Sequence, residues 1–125
     1  PLNSPTLSTG YKVGAHRIQG ISDEFIPELL KLNELDEVIS VDDEDSIIMA
    51  KKLSQTFGIG VGISSGANVL GCIKAQELMG GDGVFVTVLA DDNKKYLSTD
   101  YSDDQVETEE LLSKQIELCD VIAYR

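Results

Sequence analysis

The chain has no tryptophan, one histidine, two cysteines, three prolines and only 10 lysine and arginine residues against 22 aspartate and glutamate residues. Each shortage excludes something. One histidine rules out a multi-histidine zinc site. Cys72 and Cys119 stand far apart with no CxxC partner, which argues against a structural disulfide and for a reducing, cytoplasmic setting. A net charge of −12 makes nucleic acid and anionic membrane poor partners. No apolar run is long enough to span a bilayer, so no membrane partner is expected either.

What is present reads as an ordinary globular protein. The 125 residues are 42% apolar and 26% charged, enough for one domain with a modest core. The carboxylates are scattered, and solubility is their first explanation. The densest run, Asp42-Asp43-Glu44-Asp45, lacks the glycine and closing glutamate of a calcium loop and suits the first turn of a helix. No metal site is expected. The chain opens without Met on PLNSPTLSTG, which reads as connecting loop and suggests a piece of something longer.

The pattern divides into a loop-rich lead-in (1–24), an α/β core (25–101) and an acidic C-terminal helix and tail (102–125), all within one partial domain. Phe25 to Leu35 has helical spacing, with Pro27 tolerable in the first turn. Residues 37–41, 59–63 and 83–89 read as strands. Asp42 or Asp43 caps a helix that buries Ile47, Ala50, Leu53 and Phe57 and stops at Gly58. Residues 65–79 form a helix apolar enough to be buried on most sides, ended by Gly80-Gly81. A last helix is expected near 108–118. Strands alternating with helices through short links give an α/β fold with a small, mainly parallel sheet covered on both faces, a partial three-layer domain.

The most informative stretch is Thr56–Asn68, TFGIGVGISSGAN, with four glycines and two serines. It is not a P-loop, because no Gly-Lys-Ser/Thr ends it, and its glycines miss the GxGxxG spacing. It places Ser64 and Ser65 between a strand end and the mouth of a helix, where open α/β sheets bind ligands. Two plain explanations compete with a binding site: a serine that caps the helix, and glycines that permit close packing. Gly62-Ile63-Ser64-Ser65-Gly66 also fits GxSxG, but its base would have to be His16, which precedes the serine and so departs from the α/β-hydrolase order.

His16-Arg17-Ile18-Gln19-Gly20-Ile21, Phe25-Ile26-Pro27, Leu35-Asp36-Glu37-Val38, Val61-Gly62-Ile63-Ser64-Ser65-Gly66-Ala67 and Lys95-Tyr96-Leu97-Ser98-Thr99 occur in this order. In order and spacing, about residues 1–101 resemble the C-terminal part of cysteine synthase (O-acetylserine sulfhydrylase), a pyridoxal-phosphate enzyme of fold type II. The resemblance implies that Ser64 hydrogen-bonds the cofactor's pyridine nitrogen and that Gly20 lies beside cofactor and substrate. It implies β-replacement of O-acetylserine, or a related activated serine, by sulfide to give cysteine, in a cytoplasmic homo-oligomer. A neutral hydroxyl on the ring nitrogen makes a weaker electron sink than a carboxylate, which suits chemistry at the β-carbon.

The departures are as specific. None of the eight lysines (Lys12, Lys31, Lys51, Lys52, Lys74, Lys94, Lys95, Lys114) has the family's Ser-x-Lys-x-Arg Schiff-base context, and the phosphate-cradling Gly-Thr-Gly-Gly-Thr loop is absent. No catalytic residue is therefore assigned, and the chain alone is expected to be inactive and not to hold the cofactor without the N-terminal part of the same enzyme. Ser22-Asp23-Glu24 replaces the small residues that usually follow Gly20, and Ala90-Asp91-Asp92-Asn93 replaces a proline-serine-rich turn. The competing reading is a non-catalytic acidic α/β module that binds a partner chain or small ligand at the Ser64 turn.

Overall fold

Two long helices carry the fold, and their ends follow from local chemistry. The computed structural model describes residues 1–22, 25–99, 101–103, 108 and 110–124. Its helices are α1 (Thr6–Thr9), α2 (Asp43–Phe57), α3 (Ile63–Met79) and α4 (Leu112–Gln115), with 3₁₀ turns at Leu32–Glu34 and Lys94–Tyr96. Asp42 caps α2: one carboxylate oxygen accepts the N–H groups of Glu44 at 2.9 Å and Asp45 at 3.3 Å. Asp43, Glu44 and Asp45 then fill the first turn, where the helix dipole favours negative charge. Gly58 ends α2 at φ 71° and Gly80 ends α3 at φ 89°, left-handed positions that glycine adopts without strain.

The core lies between the two helices. Ile47, Met49, Ala50 and Leu53 of α2 meet Ile63, Ala67 and Leu70 of α3, and Ile18, Val41, Val61, Tyr96 and Tyr101 close around them. The helices cross at backbone distance: a Cβ on Gly66 would stand 2.1 Å from the Ser46 carbonyl oxygen and 2.8 Å from the Ala50 nitrogen. The C-terminal segment is tied to the same helix. Asp45 accepts the N–H groups of Leu112 at 3.2 Å and Ser113 at 2.8 Å. Lys52, two turns along α2, donates to the carbonyls of Ser113 and Ile116 at the far end of α4.

The expected small parallel sheet does not form among the described residues. Their one β contact is an isolated antiparallel bridge between Val61 and Asp92, and Ile63 already begins α3. A strand exists only with a ladder partner, and residues 37–41 and 83–89 find none there. The helix expected over 25–35 shrinks to the turn Leu32–Glu34, because Leu29 is 93% exposed and a short helix with no surface to bury on is marginal. The expected burial of α3 holds for its first two turns only, since Gln76–Met79 face solvent. The last helix is reduced to α4, and residues 104–107 and 109 of the acidic stretch lie outside the described residues. Among the described residues no helix is long and apolar enough to cross a membrane.

Two predictions follow from the packing. Gly66→Ala should destabilise the chain by about 1–3 kcal/mol, because α2 and α3 must move apart to admit the methyl group. Gly71→Ala, on the same helix with nothing within 4 Å of the new Cβ, should instead stabilise by roughly 0.5–1 kcal/mol. Circular-dichroism melts of both variants decide; equal shifts would refute the tight crossing. The chain should also self-associate. Val84, Val86 and Val88 are 94%, 87% and 67% exposed, and covering each valine contributes up to roughly 1.5–3 kcal/mol. Sedimentation should show concentration-dependent association that Val84→Lys with Val86→Lys abolishes.

Candidate functional site

The glycines of the 56–68 stretch each have a packing reason. Gly58 takes the left-handed turn that ends α2. Gly60 has the Asn93 side chain against it, and a Cβ on Gly62 would stand 2.0 Å from Asp91 Oδ1 and 2.8 Å from the Tyr96 ring. Gly66 makes the helix crossing. The serines have no such reason. Gly62, not a serine, is the N-cap of α3, and no side chain caps that helix. Ser64 is only 8% exposed and Ser65 is fully buried. The Ser64 hydroxyl takes no hydrogen-bond partner among the described residues, and the buried Ser65 Oγ also lacks one. The capping explanation for Ser64 and Ser65 therefore fails, while the close-packing explanation holds for the glycines.

A strut of residues 91–99 holds this turn from behind. The Gly62 N–H donates to the Asp91 carbonyl at 2.9 Å, and the Asn93 N–H donates to Gly60 at 3.3 Å. Tyr96, 1% exposed, donates its hydroxyl to Asp91 Oδ2 at 2.8 Å. Lys95 Nζ reaches the same oxygen at 2.6 Å and lies 4.9 Å from the Tyr96 ring centroid. The hydrogen bond to Asp91 raises the Lys95 pKa above its ordinary value. Burial raises that of Tyr96, with the Lys95 contact opposing and Asp91 adding to it. Thr99 Oγ1 closes the segment on the Tyr96 carbonyl at 2.6 Å. The Lys95–Thr99 motif is thus a support for the Ser64 turn.

Gly20 lies in a separate, exposed turn at φ 84°. It shares the core with Ser64 through its neighbours: Ile18, two residues before it, and Ile63, the residue before Ser64, belong to one buried cluster. His16 belongs to the lead-in. Its Nε2 lies 3.4 Å from the Ser22 carbonyl oxygen, and no bond joins it to Ser64. A serine–histidine nucleophile has no basis in this arrangement. Asp91 and Tyr96 are the contributors that sequence reasoning left without a role. The signal was the acidic replacement at 90–93, which a sequence shows without showing its partner.

No protein-family model matches the chain. Over 100 residues it is 48% identical to cysteine synthase B of Campylobacter jejuni, covering 80% of this chain and 32% of that protein. The probable cysteine synthase of Bacillus subtilis is 42% identical over 100 residues, with the same coverage. Among solved structures, a hydrogen sulfide-producing enzyme of Fusobacterium nucleatum superposes with a TM-score of 0.91 at 61% identity, over 97% of this chain and 36% of that one. A cysteine synthase of Entamoeba histolytica gives 0.77 at 33% identity, over 92% of this chain and 33% of that one. The chain spans about a third of the length of the curated relatives it matches. In sequence and in fold it resembles the C-terminal part of the cysteine synthases, pyridoxal-phosphate enzymes of fold type II.

Proposed function

We propose that this chain is the ring-nitrogen side of a pyridoxal-phosphate enzyme that replaces the β-substituent of O-acetylserine, or a related activated serine, with sulfide to give cysteine. The observation that carries the reading is Ser64: a residue only 8% exposed, at the start of a 17-residue helix, whose hydroxyl serves neither as a cap nor in any hydrogen bond among the described residues. Such a group fits a pyridine nitrogen, to which it can donate one hydrogen bond. When bound, the cofactor supplies a sink for electrons at the substrate's α-carbon. Ser64 holds the ring nitrogen without charging it, and the positive end of α3 discourages protonation there. Gly20 and its turn line the substrate side. The Schiff-base lysine and the phosphate cradle belong to the rest of the enzyme, whose sheet gives residues 83–89 their ladder partners. A cytoplasmic homo-oligomer is part of the proposal.

One observation favours a second reading, in which the same elimination runs on cysteine and releases sulfide. The chain is 61% identical to the sulfide-producing enzyme of Fusobacterium nucleatum. It also carries Ser22-Asp23-Glu24 where the cysteine synthases have small residues. Assaying the full-length protein for cysteine formation from O-acetylserine and sulfide, and for sulfide release from cysteine alone, separates the two.

Two predictions test the site. The isolated chain should form no stoichiometric adduct with pyridoxal phosphate. Borohydride trapping followed by mass spectrometry should find only scattered, non-saturable labelling; one fully labelled lysine would refute the assignment. In the full-length enzyme, Ser64→Ala should retain the cofactor and lose one hydrogen bond, worth about 0.5–1.5 kcal/mol, an effect of roughly tenfold or less on elimination. Ser64→Asp should do more. Its charge raises the proton affinity of the ring nitrogen, shifts the cofactor's absorbance and slows β-elimination. Two variants indistinguishable from wild type in spectrum and rate would remove Ser64 from the site.

A further inference from the structure

Ser22 is the one non-glycine among the described residues with a positive φ, at 58°. Such a conformation disfavours an L side chain and persists only where surrounding contacts enforce it. The contacts are present. Ser22 Oγ donates to the Ser4 carbonyl at 2.5 Å and lies 3.3 Å from Thr6 Oγ1. Ser4 Oγ returns a bond to the Ser22 carbonyl at 3.4 Å and accepts the Gly14 N–H at 3.1 Å. His16 Nε2 lies 3.4 Å from that same carbonyl. Ser4 and Thr6 are buried, at 0% and 2% exposure, so the clamp is anchored inside the protein. Its other end is the turn that begins at Gly20, itself left-handed at φ 84°.

We propose that Ser22 is a positioning residue. Its left-handed, doubly bonded conformation holds the Gly20–Ile21 turn in the shape that receives the amino-acid substrate, so that it governs substrate affinity more than the chemical step. The inference rests on the placement of Gly20 beside the substrate proposed above. A glycine at position 22 would adopt the backbone without strain and needs no clamp. A serine there accepts strain in return for a hydroxyl that ties the turn to Ser4, which makes the turn a fixed wall instead of a mobile one.

The contrast between strain and hydrogen bonding supplies the test, in the full-length protein. Ser22→Gly removes strain and bonds together. It should leave the thermal midpoint unchanged or higher, yet raise KM for the amino-acid substrate about tenfold, the size expected for one net hydrogen bond, with kcat within about twofold. Ser22→Asn, which tolerates the left-handed region and keeps a donor, should recover most of the affinity. In the cofactor-free protein, amide exchange at Gly20 and Ile21 should accelerate about tenfold in Ser22→Gly. Unchanged KM with unchanged exchange would overturn the inference. Faster exchange with wild-type KM would overturn it too, since the clamp would then be structural only. A wild-type protein that turns over neither O-acetylserine with sulfide nor cysteine would instead refute the functional reading, and unchanged exchange there would still refute the clamp.

Discussion

The approach of α2 to α3 at Gly66 constrains the rest of the structure. With no Cβ at that point, the start of α3 reaches the backbone of Ser46 and Ala50 and is drawn into the core. A helix start carries N–H groups with no partner in their own helix, and burying them is costly. The cost is limited because the Gly62 N–H is met by the Asp91 carbonyl, in the pairing of residues 60–62 with 91–93, and the Ser65 N–H by the Gly62 carbonyl. That pairing in turn requires side chains 91, 93 and 96 to crowd Gly60 and Gly62. The glycines at 60, 62 and 66 are consequences of one close approach. The serines at 64 and 65 are enclosed by it without being needed for it.

This distinction separates two kinds of residue within a single motif. A glycine-rich turn before a helix invites a ligand explanation for every residue in it. Here the four glycines are accounted for by helix termination, neighbouring side chains and helix crossing. What is left over is two unpartnered serine hydroxyls at the positive end of a helix, that of Ser65 fully buried. Buried hydroxyls without partners are uncommon and ask for an explanation each. For Ser64 the proposed partner is a heterocyclic nitrogen. Ser65, deeper and fully buried, has no such explanation in the geometry described.

Legibility in the sequence followed the range of the interaction. The Asp42 cap, the acidic first turn of α2 and the glycine stops at 58 and 80 are contacts between near neighbours, and the pattern showed them. The tie between Asp45 and Ser113 joins residues 68 apart, and nothing in either local sequence announces it. The stretch 83–89 reads as a buried strand from its valines, yet it finds no ladder partner among the described residues and Val84, Val86 and Val88 stay exposed. Residues 25–35 have helical spacing, but Phe25 and Leu29 stay exposed and only Leu32–Glu34 forms a 3₁₀ turn. The motifs around Ser64 and Gly20 were legible as a pattern, whereas the strain at Ser22 was not, since a backbone angle leaves no mark in composition.

The acidity that favours solubility has a second use at buried and half-buried positions. Asp43 accepts the Arg17 N–H at 2.6 Å, joining the lead-in to α2. Asp45 accepts two N–H groups of the C-terminal segment, and Asp91 binds Tyr96 and Lys95 behind the Ser64 turn. A carboxylate makes stronger hydrogen bonds than a neutral acceptor, so one side chain can hold a distant backbone segment in place. At Asp91 the arrangement has a further effect. Its Oδ2 is already bonded by a cation and a phenol, so its negative charge is compensated beside the start of α3. An uncompensated carboxylate there would favour positive charge beside the start of α3. The Lys95–Asp91–Tyr96 group supports the turn without adding an unpaired charge beside Ser64.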